Sequence, residues 1–357
     1  MQYHPLGKTG LLVSELCLGT MTFGGRGYWE VVGKQQQEEV NQLIKASIDA
    51  GINFIDTADA YSFGLSEELL GQSIKDLGLR RKDLILATKA RIRMDEGPNN
   101  VGLSRHHILN SIDESLERMG TDYIDLYQIH GVDYITPLEE TLQALNDAVR
   151  MGKIRYIGLC NLPAWMITKA VMLSRQHGWP QFVSAQMFYS LAARDLEREV
   201  IPACQDLGLG VLPWSPLAGG LLSGKFTREN QSPEGARRAQ FDFPVVNKER
   251  AFEVIDALLA IAKERSVSAA QVALAWTRTQ SGISSVIIGA KRMEQLEDNL
   301  ASVDLELTEE EHRMLDEASA LPPEYPGWML EFQARDRFPQ DPDEAAKNSV
   351  DTEAVEQ

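Results

Sequence analysis

An acid, a phenol, an amine and an imidazole follow one another between positions 56 and 130: Asp56, Tyr61, Lys89 and His130. Together these groups suit proton donation. A phenol in water holds its proton to about pH 10, too firmly for ready donation at neutral pH. An ammonium nearby stabilises the phenolate and lowers that value, and a carboxylate beside the ammonium keeps the lysine charged and fixed. The expectation is a chain Asp56–Lys89–Tyr61 with Tyr61 as general acid, and His130 donating a hydrogen bond to a substrate oxygen. Such a centre stabilises a developing alkoxide, as carbonyl reduction requires. None of the four is a good nucleophile, so acyl transfer fits poorly. Taken singly they have plainer uses: Asp56 as a cap, Tyr61 in packing, His130 as a hydrogen-bonded core residue. Lys89 is harder to explain away, because lysine is almost never fully buried without a partner.

The elements that must position them are short apolar runs: INFID ending at Asp56, DLILATK ending at Lys89 and IDLYQIH ending at His130. Runs apolar almost throughout suit parallel strands covered on both faces. Chemistry at the ends of successive parallel strands is how a (β/α)8 barrel builds its site. Between the runs lie helical patterns: Val40, Leu43, Ile44, Ser47 and Ile48, stopped at Gly51; Leu70, Ile74 and Leu77; Ile108, Ile112, Leu116 and Met119, capped by Ser104. A fourth helix is predicted to start with Thr136 as cap, Pro137 at the first position and Glu139 closing a capping box. KIRYIGLC, FVSAQM, GVLPW and SSVIIG supply further strands, and an N-terminal hairpin turns at Gly7–Gly10. Asp56, Lys89, His130, Asn161, Gln186 and Trp214 succeed one another at intervals of about 30 residues, one strand–helix unit each. The stretch from Trp214 to Gly289 is too long for one unit. The surplus, Gly219 to Lys248, is expected to be a long loop at the barrel mouth, open to cleavage near Arg228, Arg237 and Arg238.

With 357 residues, 43% of them hydrophobic and 24% charged, the chain can bury a large core as one barrel domain. That domain is expected to span 1–321, with an acidic extension over 322–357 that is partly disordered from about 336. A net charge of −17 argues against nucleic acid or anionic membrane as the main partner. Cys17, Cys160 and Cys204 are odd in number and lack metal-ligand spacing, so no metal site is expected and a reducing cytoplasm is. There is no apolar signal core and no run long enough to span a bilayer.

The chain resembles the aldo-keto reductase superfamily from Leu6 to about Ala320. The similarity is carried by LGKTGLLVSELCLGTMTFG, GINFIDTADAYSFGLSEELLG, ATKA, LERMGTDYIDLYQIHG, GKIRYIGLCN, AQMFYSL, WSPLAGGLLSGK and IIGAKRMEQLEDN, in order. The resemblance implies a (β/α)8 barrel, use of NADPH without a Rossmann domain, reversible reduction of an aldehyde or ketone, and a tetrad at Asp56, Tyr61, Lys89 and His130.

It also implies a set of cofactor contacts. Gly19, Thr20 and Met21 match the stretch near the nicotinamide and its ribose, and Asp56 belongs to this set too. Asn161 and Gln186 match side chains that bond the carboxamide, and Trp214 matches the aromatic that stacks on the nicotinamide. Trp214 alone would read as core packing. Ser215, Leu217 and Lys225 match positions along the pyrophosphate, where an ammonium suits an anion. Gly289, Lys291, Gln295 and Asn299 match the loop and helix start that hold the adenosine end. Lys291 with Arg292 would suit a 2′-phosphate, though a solvated charge pair is the plainer reading. One position departs from the pattern: Cys160 stands where the family usually has serine, a better donor and acceptor, so a carboxamide contact is expected to be looser. Two rivals remain open: a channel-associated regulatory subunit, and a barrel lyase or isomerase acting on phosphosugars.

Overall fold

The computed structural model describes residues 1–234 and 236–335, and the tail expected to be disordered from about 336 lies outside them. The chain divides into a unit of residues 1–319 and a second beginning at Ala320. The first unit opens with an antiparallel hairpin, β1 (Tyr3–Pro5) and β2 (Leu12–Ser14). Eight parallel strands follow: β3 (Leu16–Gly19), β4 (Phe54–Asp56), β5 (Ile85–Ala90), β6 (Ile124–Ile129), β7 (Ile154–Cys160), β8 (Phe182–Phe188), β9 (Gly210–Trp214) and β10 (Val286–Ile288). They pair in sequence from β3 to β9, and β10 pairs with β3. The ring closes where Val211 N donates to Gly282 O at 2.9 Å and Ser284 N to Val211 O at 3.0 Å. This is a (β/α)8 barrel.

Helices alternate with the strands: α1 (Gln37–Asp49), α2 (Leu65–Asp76), α3 (Arg105–Met119), α4 (Leu138–Arg150), α5 (Ala164–His177), α6 (Val200–Leu207), α7 (Arg237–Gln240), α8 (Lys248–Arg265), α9 (Ala269–Arg278), α10 (Met293–Leu300) and α11 (Glu309–Ser319). The second unit holds α12 (Gly327–Arg335). The expected spacing holds in α1, whose Val40, Leu43, Ile44 and Ser47 are buried. Ser104 caps α3, accepting from His107 N at 3.2 Å. The expected cap of α4 does not form. Pro137 takes the cap position and the helix starts at Leu138, because the Thr136 hydroxyl is spent on Asp133 Oδ2 at 2.7 Å. Asp133 also accepts from the amides of Leu103 and Ile135, so an Asx-type loop outcompetes the capping box.

Strand side chains alternate between the two sides of the barrel wall. The inward positions form layers. Leu6, Val13, Cys17, Phe54, Leu126 and Leu212 fill an apolar lower layer. Two residues further along the inward side chains turn polar: Phe54 gives way to Asp56, Ala87 to Lys89 and Leu126 to Gln128, and β8 adds Gln186. The hairpin seals the N-terminal end of the barrel. Gly7, at φ 56°, lies so close to β8 and β9 that a Cβ there would meet Val183 O at 2.5 Å, and only glycine fits. The polar layer is therefore reached from the C-terminal mouth.

The long segment after β9 is only partly loop. A 3-10 turn over Ala218–Ser223 and the short α7 interrupt it. Arg238, expected to be exposed to cleavage, is buried, and donates to Ala218 O at 2.8 Å and Pro244 O at 2.9 Å. It staples the segment to itself.

Candidate active site

Asp56 ends β4 and Lys89 sits one residue before the end of β5; both are buried. Lys89 Nζ donates to Asp56 Oδ1 at 2.6 Å and to Thr57 O at 2.7 Å, and lies 3.3 Å from Tyr61 Oη. Tyr61, in the loop after β4, is 8% exposed. Its ring meets Trp29 edge-on at 5.4 Å and His130 at 6.0 Å. His130 follows β6, held by its own amide donating to Ala90 O at 3.0 Å. The four residues expected to act together are within one contact network.

Burial pulls the Lys89 ammonium down, but Asp56, Tyr61 and Cys160 outweigh it and hold its pKa above the usual lysine range. The lysine is charged. Burial, with Lys89 and Arg91 nearby, holds His130 well below the usual imidazole range, so its ring is neutral. Its Nδ1 is buried without a partner among the described residues. Tyr61 corrects an expectation. Burial pushes the phenol up to about 12, and Asp56 adds to that; Lys89 pulls it back only in part. Desolvation of the anion outweighs a single ammonium because Asp56 already neutralises much of that charge. The proton therefore stays on Tyr61, while Lys89 still favours the phenolate over what burial alone would give.

The remaining predicted residues divide between the cleft and the frame. Asn161, at φ 58°, is exposed after β7. Trp214 Nε1 donates to Asn161 Oδ1 at 3.0 Å, so the Asn161 amide must present its NH2 elsewhere. Gln186 Nε2 donates to Asp56 Oδ2 at 2.8 Å and to Gln128 Oε1 at 3.2 Å. Both its hydrogens are used, and its Oε1 has no partner among the described residues. One face of Trp214 stacks on Phe243 of the long segment, 5.7 Å between centroids and 12° from parallel. Thr20 is fully buried with its hydroxyl on Ser66 Oγ, so it serves the frame. Gly19 ends β3 under Ile287, and Met21 packs against the Trp29–Tyr61 cluster. Cys160 turns inward as a protonated thiol, its pKa raised by burial, and donates to Gln128 Oε1 at 3.8 Å.

Around the mouth, Ser215 (φ 50°) and Leu217 are half-buried, and Lys225 is exposed with no ion pair among the described residues. Gly289 is exposed; Gln295 Oε1 accepts from Lys291 N at 2.9 Å, and Asn299 Nδ2 donates to Gly289 O at 3.3 Å. These side chains brace the Gly289–Lys291 turn. Lys291 Nζ reaches Val31 O at 3.3 Å. Burial, Arg237 and Arg292 lower its pKa. Arg237 was missed in the sequence. Its pKa is lowered by burial and by Arg238; its Nη2 donates to Phe243 O at 3.2 Å, and its Nε is buried without a partner among the described residues. Three cations gather here. Among the described residues Arg292 pairs with Glu294 alone, 3.7 Å away and exposed. Such a cluster is costly unless an anion joins it.

The sequence pattern of the aldo/keto reductase family matches residues 15–320. A putative aryl-alcohol dehydrogenase of Schizosaccharomyces pombe is 37% identical over 343 residues, covering 88% of this chain and 95% of the relative. The chain belongs to the aldo/keto reductase family. Its other relatives include a versiconal hemiacetal acetate reductase of Aspergillus parasiticus, 37% identical over 89% of this chain and 96% of that protein. A probable voltage-gated potassium channel subunit beta of Oryza sativa is 36% identical over 85% of this chain and 92% of its own length. Family and relatives make this aldo/keto reductase an oxidoreductase of carbonyl chemistry. Among the described residues no helix is long and apolar enough to cross a membrane.

Proposed function

We propose that this aldo/keto reductase reduces an aldehyde or ketone reversibly, with NADPH as cofactor and Tyr61 as general acid. The observation that carries the reading is the buried Asp56–Lys89–Tyr61 contact, 2.6 Å and then 3.3 Å. NADPH, when bound, supplies the hydride. The chain does the rest. Tyr61 keeps its proton until an alkoxide develops within reach, and Lys89 then stabilises the phenolate left behind. Neutral His130 orients the substrate oxygen. Trp214 offers a ring face, Asn161 an NH2 and Gln186 a carbonyl oxygen, a set that fits a carboxamide with one end accepting and the other donating.

Arg237, with its Nε unpartnered among the described residues and its Nη2 on Phe243 O at 3.2 Å, fits a 2′-phosphate together with Lys291 and Arg292. Ser215, Leu217 and Lys225 would lie along the pyrophosphate, Gly19 and Met21 beside the nicotinamide ribose with the Thr20 side chain behind them in the frame, and Gly289, Gln295 and Asn299 about the adenosine. Trp29, Phe63, Ile92 and Met94 surround Tyr61 with apolar surface, which favours an aromatic or apolar carbonyl compound, in keeping with the names of the dehydrogenase relatives. Residues 1–321 would form the reductase domain, 322–357 an extension, and the cytoplasm the working compartment.

Tyr61→Phe tests the reading. It keeps the ring against Trp29 and removes the proton, so kcat should fall about 10²–10⁴-fold while NADPH binding, followed by fluorescence, stays within about twofold of wild type. Near-normal turnover would sink the assignment of Tyr61. A wild type that binds NADPH but turns over no member of a carbonyl panel would instead favour a regulatory role like that of the channel-subunit relative.

A further inference from the structure

Gln128 has no place in the tetrad or among the cofactor contacts, yet it bonds to both, beside the direct contact of Gln186 with Asp56. It lies on β6 two positions before His130, faces the barrel interior and is fully buried. Its Nε2 donates to Asp56 Oδ2 at 2.9 Å. Its Oε1 accepts from Gln186 Nε2 at 3.2 Å and from the Cys160 thiol at 3.8 Å. Asp56 thus has Oδ1 on Lys89 and Oδ2 on two amides. The fold makes room for this side chain. Gly158, opposite Gln128 in the register of β6 and β7, has no Cβ; one placed there would meet Gln128 Cγ at 2.9 Å.

The directions of these bonds are fixed by chemistry. A carboxylate only accepts, so both glutamines must turn their NH2 groups to Asp56. Gln128 then offers its carbonyl oxygen to the second hydrogen of Gln186. With both hydrogens spent, Gln186 can show only its oxygen to the cleft.

We propose that Gln128 is a positioning residue that ties the proton-donating half of the site to the cofactor-reading half. It holds Asp56 in the rotamer that serves Lys89, and it holds Gln186 with its acceptor facing the cofactor. This rests on the reductase reading above. The two functions separate by chemistry. Gln128→Met fills the same space but neither donates nor accepts, so it disturbs both halves. Gln128→Glu keeps an acceptor for Gln186 and Cys160 but sets a second carboxylate against Asp56, so it strains the acid half while Gln186 keeps acceptors for both its hydrogens.

The test is a double-mutant cycle on NADPH affinity, with kcat measured beside it. Gln128→Met should weaken NADPH about tenfold in the wild-type background and less than twofold in a Gln186→Met background, since the lost effect runs through Gln186. Gln128→Glu should leave NADPH affinity within about threefold while kcat drops tenfold or more. A residue that merely fills space would give equal factors in both backgrounds and no split between affinity and turnover. Equal factors, or wild-type kcat in Gln128→Glu, would overturn the proposal. If Gln128→Met does not fold, the affinity–turnover split in Gln128→Glu decides alone. A wild type that binds no NADPH overturns the reductase reading and this inference together; a wild type that binds and turns over with additive variants overturns this inference only.

Discussion

Lys89→Met isolates the charge that lets a buried phenol act as an acid. Lys89 Nζ lies 3.3 Å from Tyr61 Oη. Coulomb's law at that distance, with an effective dielectric of about 20, gives about 5 kcal/mol between an ammonium and a full phenolate. That is about three to four decades of proton affinity at 1.36 kcal/mol each. Only part of the charge has developed in the transition state, so kcat should fall about 10²–10⁴-fold. The substitution also leaves Asp56 buried with amide donors but no cation, and breaking such a pair costs about 3–5 kcal/mol. Lost stability could then pass for lost chemistry. Adding Asp56→Asn removes the stranded charge: the double variant should melt above Lys89→Met yet stay equally inactive. Single-turnover oxidation of bound NADPH, read by absorbance alongside melting curves, gives both quantities. Turnover within tenfold of wild type in Lys89→Met, or recovery in the double variant, would refute the reasoning.

Three further outcomes follow from the same geometry. On the proposed mechanism reduction uses protonated Tyr61, whose pKa is pushed up to about 12, and a His130 whose pKa lies well below the usual imidazole range; kcat for reduction should then be flat from about pH 6 to 10, and a basic limb centred near 8 would contradict the burial argument. Arg237→Met should cut the preference for NADPH over NADH about tenfold, as losing one charge-assisted bond does, with NADH affinity little changed in parallel titrations. Asp59 is buried, with Oδ2 lacking a partner among the described residues, and burial and Glu67 raise its pKa well above the carboxylate range. The folded state therefore holds this proton more tightly than the unfolded chain, so stability is lost as pH rises above the unfolded value of about 4. Asp59→Asn should melt above wild type at pH 7 and by less at pH 5; the reverse order would refute the assignment.

The barrel and tetrad were legible because each lies in a local pattern. Three apolar runs end on an acid, an amine and an imidazole, and the period of two turns each toward the mouth of the barrel interior. The α4 cap was misread because Thr136 had a nearer competitor: Asp133 draws its hydroxyl, and no helix-start rule weighs that contest. The Tyr61 pKa was misjudged in sign because burial is a tertiary property, absent from the order of residues. Gln128 did leave a signal, an amide facing inward in the otherwise apolar IDLYQIH. Arg237 left none, because a local pattern does not say where a loop of some 30 residues will bring its side chains.

The hairpin floor has a use that does not depend on the chemistry. Tyr3 bonds Gly51 O and Gln2 bonds Glu15 at the barrel's closed end, so anything joined ahead of Met1 leaves from the side opposite the catalytic mouth. Tethering the protein to a bead or electrode through that terminus would present every molecule with its opening toward the solution, whereas coupling through random surface lysines would blind some of them.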